Sequence, residues 1–408
     1  MTSLTTIRNL PAKSAKRNTI SASKNNDIIL IVATAILASF GLVLVYSASS
    51  VFAAKYYGDA EHFLIQQTVW CLIGVIALYA TSKTNSIRLY QMVPWLLLLT
   101  LICCALVLIP GIGKHVNGAQ RRLDFGFFGF QPSEFCKLTI ILALARILER
   151  RESKPMQERV SLIGPVLLLQ IPVLFILIEP DLGTALVIEL IIGITVFVAG
   201  VRVRTLALFG LAALPILYHL IVATPFRLRR LLSYIDPWAY RSTVGYQITE
   251  SLISIGSGGI TGVGLGGGKH KLFFLPEAHT DFVFAIVGEE LGLLGIAFLL
   301  LVFGVFIWRA IHIAMQAKSV FEGYLALGLT SLVGVPVLFN TGVATGLLPT
   351  KGLALPFISY GGSNLVVTFI AVGLLLSVAR NSSVNERRFS NRDCQKLSQK
   401  RAATAEGA

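Results

Sequence analysis

Charged residues are scarce in this chain of 408 amino acids. Asp, Glu, Lys and Arg make up 14% of it, against about 25% in a typical soluble protein. The five cysteines and six histidines form no CxxC or zinc-type spacing, so nothing indicates a structural zinc site. Four of these cysteines fall in or beside apolar stretches and Cys394 lies near the C-terminus, so no extracytoplasmic disulfide is expected.

Apolar sequence fills the chain instead. Hydrophobic residues make up 54% of it and gather in about ten stretches, each roughly the 17 to 25 residues that cross a bilayer as a helix. We therefore predict an all-α polytopic membrane protein with about ten transmembrane helices. The predicted spans are 28–50, 63–81, 91–110, 132–148, 160–178, 182–200, 205–224, 282–308, 321–345 and 357–380.

The net charge of +14 is concentrated at the two ends of the chain. Basic residues near the ends of spans favour the cytoplasmic side, so both termini are predicted to be cytoplasmic. We read these charges as topology signals that also attract lipid headgroups, in preference to nucleic-acid binding. The predicted organisation is a disordered basic tail at 1–27, a membrane domain at 28–380 and a second disordered basic tail at 381–408.

A large extracytoplasmic loop at 225–281 is predicted between helices 7 and 8. Its segment 246–255 (YQITESLISI) has apolar residues at helical spacing, which predicts a short helix either on the membrane surface or packed against the protein. Glycine is dense in the following segment, 256–268, and indicates tight turns or close backbone approach. A GxGxxG match within it lacks the strand and helix of a dinucleotide site, and a Walker A match fails too.

Ionisable residues at membrane depth are costly and often functional. The candidates are Glu134, Lys137, Glu179, Asp181, Glu189, Asp281, Glu289 and Glu290. Glu134 and Lys137 are three residues apart on one predicted helix, so they can pair, either as a plain stabilising pair or as part of a site. Asp281 precedes a span, where it is either a helix cap or a catalytic carboxylate beside Pro276, Glu277 and His279.

At these residues the chain closely resembles the SEDS family of bacterial cell-wall polymerases, over about residues 25 to 380. The motifs that carry the resemblance are NGA at 117–119 with Arg121, QPSE at 131–134 with Lys137, PDLG at 180–183, GYQ at 245–247, LPEAHTD at 275–281, GEELG at 288–292, Asn340, GLLPTKG at 346–352 and SYGGS at 359–363. The segment 285–290 (AIVGEE) is more similar to the cell-division member of the family, FtsW, than to its relative RodA, and SpoVE is a further member of the family.

The resemblance implies a peptidoglycan glycosyltransferase that joins lipid II into β-1,4 glycan strands. The expected place of this reaction is the outer face of the bacterial cytoplasmic (inner) membrane, at the division septum. Asp281 corresponds to the family's essential aspartate and is expected to be the catalytic base of an inverting single displacement. The expected substrate-binding residues are Arg121, Glu134, Lys137, Asp181, Glu277, His279, Lys351 and Ser359.

Partners and cofactors are also implied by the resemblance. We expect lipid II, a class B penicillin-binding transpeptidase, other divisome membrane proteins and membrane lipid, without nucleic acid. A divalent cation, Mg or Mn, is a candidate cofactor with no assigned ligands, and no organic cofactor is expected. The chain departs from the family pattern at Arg122, Glu179 and Asn364, which bears on the charge balance of the cavity.

Three other functions fit parts of the same pattern. A lipid II flippase needs many spans and a charged cavity, although transport should need polar groups through the whole bilayer depth and here they cluster at the outer ends. An elongation-type, RodA-like polymerase differs from the division enzyme only in its cellular role. A scaffold that recruits a transpeptidase is compatible with catalysis.

Overall fold

The structure, a computed structural model, describes residues 12–116, 119–124, 129–154, 162–222, 225–272 and 274–382. Helices dominate these residues, as predicted. The helices are α1 (Ala12–Tyr57), α2 (His62–Ser82), α3 (Ser86–Val107), α4 (Pro132–Glu152), α5 (Ile163–Leu168), α6 (Gln170–Ile178), α7 (Leu182–Val198), α8 (Val203–Val222), α9 (Pro225–Ile235), α10 (Tyr246–Gly258), α11 (Val283–Met315), α12 (Val320–Ala344) and α13 (Gly362–Ser382).

Six helices in the described residues are long and apolar enough to cross a membrane: α1 from Asp27 onward, α2, α3, α11, α12 and α13. Shorter apolar helices cover 163–178, 182–198 and 203–215. Each predicted span overlaps helix in the described residues, although 160–178 is divided between α5 and α6 and 357–380 is helical only from Gly362. The count of ten spans and the side of the termini stay predictions. α1 begins at Ala12, inside the predicted tail at 1–27, and the predicted tail from residue 383 onward lies outside the described residues.

Large apolar side chains cover the outside of these helices. Trp95 is 72% exposed and Ile76 is 69% exposed, on two of the candidate spans. Apolar patches of this extent are uncommon on proteins that face water, whereas a bilayer solvates them. The outer surface therefore agrees with the membrane location that the apolar stretches predict.

The interior is built around α4 and α12. Gly328 of α12 faces Ile141 of α4 so closely that a Cβ atom on this glycine would lie 2.5 Å from the Ile141 side chain. α12 also packs against α7 and α11, and α11 packs against α1. Because α4 is enclosed in this way, its charged residues Glu134 and Lys137 are buried in spite of their charge.

A small antiparallel sheet in the loop between α3 and α4 corrects the all-α prediction. Its strands are β1 (Gly113–Val116), β2 (Ala119–Asp124) and β3 (Gly129–Phe130), in the order β1-β2-β3. Side chains alternate between the two faces of a strand. In β2 this alternation leaves Arg121 partly buried against the helices and Arg122 exposed.

α11 is interrupted at Gly292, whose backbone has φ +64° and ψ −160°. The glycine-rich segment before α11 supplies the hydrogen bonds that the interruption removes. The amides of Val263 and Gly264 donate to the carbonyls of Glu289 and Glu290, each at 3.0 Å. This contact confirms the close backbone approach predicted for segment 256–268, and it fixes that segment to α11.

The predicted helix at 246–255 is also confirmed, as α10. Ile248 is fully buried, and so are the polar residues Thr249 and Ser251. The Ser251 hydroxyl donates to the carbonyl of Ala344 at 2.8 Å, at the end of α12. Because its polar side is buried against α11 and α12, α10 is a packed helix and not one that lies on the membrane surface.

Candidate functional site

The predicted site residues meet at one end of the helix bundle. Four helices begin there: α4, α7, α11 and α13. Asp181 directly precedes α7, and Asp281 lies just before α11. The backbone amide of Gln131, before α4, donates to the Ser363 hydroxyl of α13 at 3.1 Å. Helix N-termini carry a partial positive charge and unpaired amides. Their convergence makes this end of the bundle favourable to an anionic group.

Asp281 lies in the centre of the charged residues. Its backbone carbonyl accepts a hydrogen bond from the Asn340 amide at 2.8 Å, and its carboxylate packs against Gly352, where a Cβ atom would lie 2.3 Å from Oδ2. The surrounding protein and the negative charge of Glu277 raise the pKa of Asp281 to about 7, against the opposing pull of Arg230 and Arg121. A carboxyl with this pKa is part ionised at neutral pH and suits a general base.

Asp181 and Lys351 face each other beside Asp281. Asp181 caps α7 by accepting hydrogen bonds from the Thr184 amide at 3.2 Å and the Thr184 hydroxyl at 2.8 Å. The Lys351 chain packs on Gly183, where a Cβ atom would lie 3.0 Å from Lys Cε. Burial lowers the pKa of Lys351 to about 7, although Asp181 favours its charged form. The lysine therefore changes charge in the same pH range as the aspartate.

Arg121 reaches from β2 to the start of α7. Its Nε donates to the Glu179 carbonyl at 3.2 Å and its Nη2 donates to the Pro180 carbonyl at 2.7 Å. These contacts hold the guanidinium near Asp181, and its charge also acts on Asp281 and Lys351. The structure thus brings four predicted residues together: Arg121, Asp181, Asp281 and Lys351.

The predicted pair on α4 is present. Lys137 Nζ lies 2.7 Å from Glu134 Oε2, and both side chains are buried. Cys136, between them in sequence, is near Glu179, which places the pair behind the start of α7. The two charges compensate each other, so the pair is compatible with either interpretation given above, a stabilising contact or a part of the site.

Glu277, His279 and Ser359 lie around this cluster in different ways. Glu277 is exposed, has a left-handed backbone with φ +56° and accepts a hydrogen bond from the Thr280 hydroxyl at 2.8 Å. The His279 ring lies among Phe52, Phe63 and Tyr360, and burial lowers its pKa, so it is neutral at pH 7. Ser359 accepts a hydrogen bond from the Leu355 amide at 2.8 Å and thereby shapes the loop before α13.

Glu179 is a buried carboxyl at the edge of this cluster, 1% exposed. Neither of its carboxyl oxygens has a hydrogen-bond partner among the described residues. Burial and the neighbouring Asp181 raise its pKa from 4.5 to about 8. The side chain is therefore a neutral acid at pH 7 and resembles the Gln that the family usually has at this position.

We expect Glu179→Gln to keep the polymerase activity that the family resemblance implies within about twofold of the wild type at pH 7, because an amide replaces a neutral acid of the same shape. A carboxyl whose pKa is raised by folding stabilises the protein most below its unfolded pKa, and this contribution is lost as the pH rises towards the folded pKa. As the pH rises from 5 to 8, the thermal midpoint of the wild type should therefore fall relative to that of Glu179→Gln. This range lies between the ordinary pKa of 4.5 and the folded-state pKa of about 8. Parallel midpoints across this range would contradict a neutral Glu179.

A second ionic network lies between the glycine-rich segment and α11. Lys271 Nζ is 2.7 Å from Glu290 Oε1, and the Ser47 hydroxyl of α1 donates to both Glu290 oxygens at 2.8 and 2.6 Å. Glu289 accepts a hydrogen bond from the Lys269 amide at 2.7 Å and lies 3.0 Å from His270 Nδ1. Glu289 and Glu290, two of the candidates at membrane depth, are thus tied to this loop and are separate from the contacts of Asp281.

Sequence reasoning missed three residues that act on the pocket. Asn340 donates to the Asp281 carbonyl and, at 2.7 Å, to the Leu353 carbonyl, and so joins the loop of Lys351 to Asp281. The positive charge of Arg230 lowers the pKa of Asp281, and that of Arg227 lowers the pKa of Lys351. The family motif that contains Asn340 was a signal for the first, whereas the two arginines belong to none of the motifs described above.

The divalent cation remains a proposal without a defined site. Within the described ranges, no three His, Cys, Asp or Glu side chains converge in the way that metal ligands do. Both carboxylate oxygens of Asp181 accept hydrogen bonds from Thr184. The side chains of Arg121 and Lys351 bring positive charge to this cluster.

The fold and the site together define a multi-helix membrane protein with a cluster of charged residues where helix N-termini converge. The chain belongs to the cell cycle protein family FTSW_RODA_SPOVE, whose profile matches residues 27–384. A probable peptidoglycan glycosyltransferase FtsW of Geobacter sulfurreducens is 42% identical over 355 residues, which cover 86% of this chain and 95% of that relative. Stage V sporulation protein E of Bacillus subtilis is 39% identical over 359 residues, which cover 87% and 97%.

Two solved structures have the same fold. A chain of a peptidoglycan synthase complex, described for the coordination of polymerization and crosslinking, superposes with a TM-score of 0.71 at 31% identity and covers 86% of this chain and 97% of that one. The rod shape determining protein RodA of Thermus thermophilus superposes with a TM-score of 0.64 at 31% identity, covering 86% and 96%. The resemblance to the SEDS family is thereby confirmed.

Proposed function

We propose that this chain polymerises lipid II into β-1,4 glycan strands at the outer face of the bacterial cytoplasmic membrane, with Asp281 as the catalytic base. The chain is a peptidoglycan glycosyltransferase by its family and by its identity to relatives of that name. The observation that carries the catalytic proposal is the position of Asp281, a carboxyl with a pKa of about 7 facing several basic side chains.

The reaction is a displacement at the anomeric carbon of the lipid-linked donor sugar. The acceptor GlcNAc 4-hydroxyl loses its proton to the Asp281 carboxylate while its oxygen forms the bond to that carbon. The bond from the carbon to the diphosphate oxygen breaks, and the polyprenyl diphosphate leaves with the electron pair. Diphosphate is a good leaving group and needs no general acid, so one carboxylate suffices, in contrast to the two of glycoside hydrolysis.

Positive charge near Asp281 serves the leaving group. Arg121 and Lys351 lie in the same cluster, and Lys137 lies behind it on α4. Fixed cations and helix N-termini aimed at developing negative charge lower the barrier most when water is excluded. Asp181 orients this cluster, since it caps α7 and faces Lys351.

The pH dependence of polymerisation should be bell-shaped with a maximum near pH 7. The rate rises as Asp281 ionises through its pKa of about 7 and falls as Lys351 loses its charge through its pKa of about 7. Lys351→Arg keeps the positive charge at high pH, so initial rates of this variant should lose the alkaline limb. An alkaline limb unchanged in Lys351→Arg would exclude Lys351 as its source.

The decisive experiment for the function uses purified lipid II and the detergent-solubilised full chain with its transpeptidase partner. Glycan polymer on a gel supports the polymerase. The flippase alternative predicts no polymer, together with lipid II movement across liposome membranes. The clustering of charged residues at one end of the bundle favours the polymerase, because a transport path needs polar groups at all depths.

The partner and the place of action are part of the proposal. The structural relative from a peptidoglycan synthase complex supports a class B penicillin-binding transpeptidase as partner, and other divisome membrane proteins and membrane lipid complete the set. The relatives named FtsW support a role in septal synthesis over the elongation role of RodA. Depletion of the protein in its own cells should give filaments if it acts in division and round cells if it acts in elongation.

A further inference from the structure

Helix α9 places basic side chains on the pocket. Its sequence, PFRLRRLLSYI, contains three arginines. Arg227 and Arg230 are three residues apart, share one face and are partly buried, whereas Arg229 is exposed. The positive charges of Arg227 and Arg230 lower the pKa of Lys351, and that of Arg230 also lowers the pKa of Asp281. The face formed by Arg227 and Arg230 is therefore directed to the catalytic cluster.

A separate contact fixes this orientation. The Tyr234 hydroxyl donates to the carbonyl of Leu347 at 3.0 Å, four residues before Lys351. Tyr234 follows Arg227 by seven residues and Arg230 by four, so it lies on the same face. α9 thus rests on the loop that carries Lys351.

The side of α9 that flanks the arginine face, beginning at Leu231 four residues after Arg227, is apolar and open. Leu231, Leu232 and Ile235 are 37%, 40% and 74% exposed. A helix on a water-facing protein surface shows the reverse pattern, with apolar residues inside and charges outside. α8 ends at Val222, only three residues before α9 begins. This arrangement is that of a helix at the membrane surface, with its apolar residues against lipid and its two arginines over the pocket.

Several positive charges converge on Lys351. The positive charges of Arg121, Arg227 and Arg230 lower the pKa of Lys351, and the negative charge of Asp181 raises it. A lipid-linked diphosphate carries its negative charge at the level of the headgroups, with its chain in the hydrocarbon. Arginine binds phosphate oxygens through paired N–H groups, which a lysine does not match.

We propose that Arg227 and Arg230 bind the diphosphate of the polyprenyl-linked donor, and that α9 is an interfacial clamp which holds this group over Asp281. The inference rests on the proposed function for its choice of ligand. It assigns the leaving-group contact to two residues that no family motif pointed to. It also explains why a basic helix has its polar face turned towards the protein.

The test compares Arg227→Gln/Arg230→Gln with the matched control Arg229→Gln, in nanodiscs. Binding of undecaprenyl diphosphate and undecaprenyl monophosphate is measured on an Asp281→Asn background, which removes turnover. We expect the double variant to raise the Kd for the diphosphate at least about tenfold, since two charged hydrogen bonds are lost. The control should leave this Kd unchanged, and Arg227→Lys/Arg230→Lys should recover part of the binding with a normal thermal midpoint.

The outcomes separate the clamp from the polymerase. A Kd unchanged in the double variant, or raised equally in Arg229→Gln, would overturn the clamp while wild-type polymer still supports the enzyme. Diphosphate binding that depends on the two arginines, with no polymer from wild type, would overturn the polymerase and keep the diphosphate site. In the active protein, a raised KM for lipid II in the double variant supports the clamp, and an unchanged KM and kcat contradict it.

Discussion

Asp281→Asn should lower lipid II polymerisation by roughly 10²- to 10⁴-fold, the usual contribution of a positioned general base. The amide has the shape of the carboxyl and no basic oxygen to take the proton of the acceptor hydroxyl. The backbone contacts of this residue, from Asn340 and to Glu277, do not involve its side chain. Initial rates on purified lipid II, measured with the transpeptidase partner present, check the loss.

The fold of this variant can be checked independently. Because surrounding protein and Glu277 raise the pKa of Asp281, its ionised form destabilises the folded state as the pH rises through about 7. Asp281→Asn should therefore have a thermal midpoint at pH 8 equal to or above that of the wild type. The matched control is Asp236→Asn, an exposed carboxylate in the same loop that accepts a bond from the Ala239 amide, which should polymerise normally. Polymer from Asp281→Asn at more than about a tenth of the wild-type rate would contradict its role as base.

Helices and the candidate base could be predicted from sequence because their signals are local. A run of apolar residues of membrane length has few alternatives to helix, and each predicted span overlaps helix in the described residues. Glu134 and Lys137 were predicted to pair from their spacing of three, and they do so. The prediction of Asp281 as the base came from a motif and not from composition, and it stays a prediction until the variant is measured.

The remaining features depend on contacts between distant segments. Arg230 acts on Asp281 across a separation of 51 residues that no periodicity encodes. The sheet at 113–130 consists of strands of four, six and two residues, too short for an alternation signal. α10 was ambiguous because the membrane and the protein both bury an apolar stripe. Only the burial of Thr249 and Ser251, which α11 and α12 cause, distinguishes the two.

Lys271→Met should be the most destabilising of the single changes considered, by about 3–5 kcal/mol, the usual cost of leaving a buried charge without its partner. Lys271 and Glu290 are buried, with 5% and 0% of their side chains exposed. Methionine fills a similar volume but removes the positive charge beside Glu290. The Ser47 hydroxyl is then the remaining side-chain contact of the Glu290 carboxylate in the described network. The thermal midpoint in detergent measures the loss.

A double variant separates the buried charge from packing. Lys271→Met/Glu290→Gln removes both charges, so it should recover most of the stability that Lys271→Met loses. Lys269→Met is the matched control, since this neighbouring lysine is exposed and contributes its backbone amide to Glu289; its midpoint should equal that of the wild type. If Lys271→Met unfolds no earlier than Lys269→Met, the ion pair does not hold the glycine-rich segment on α11. If it does unfold at a lower temperature, the segment that leads into Asp281 is fixed by the pair of Lys271, 10 residues before Asp281, with Glu290, nine residues after it. Catalysis should then fail at temperatures at which the transmembrane helices are still folded.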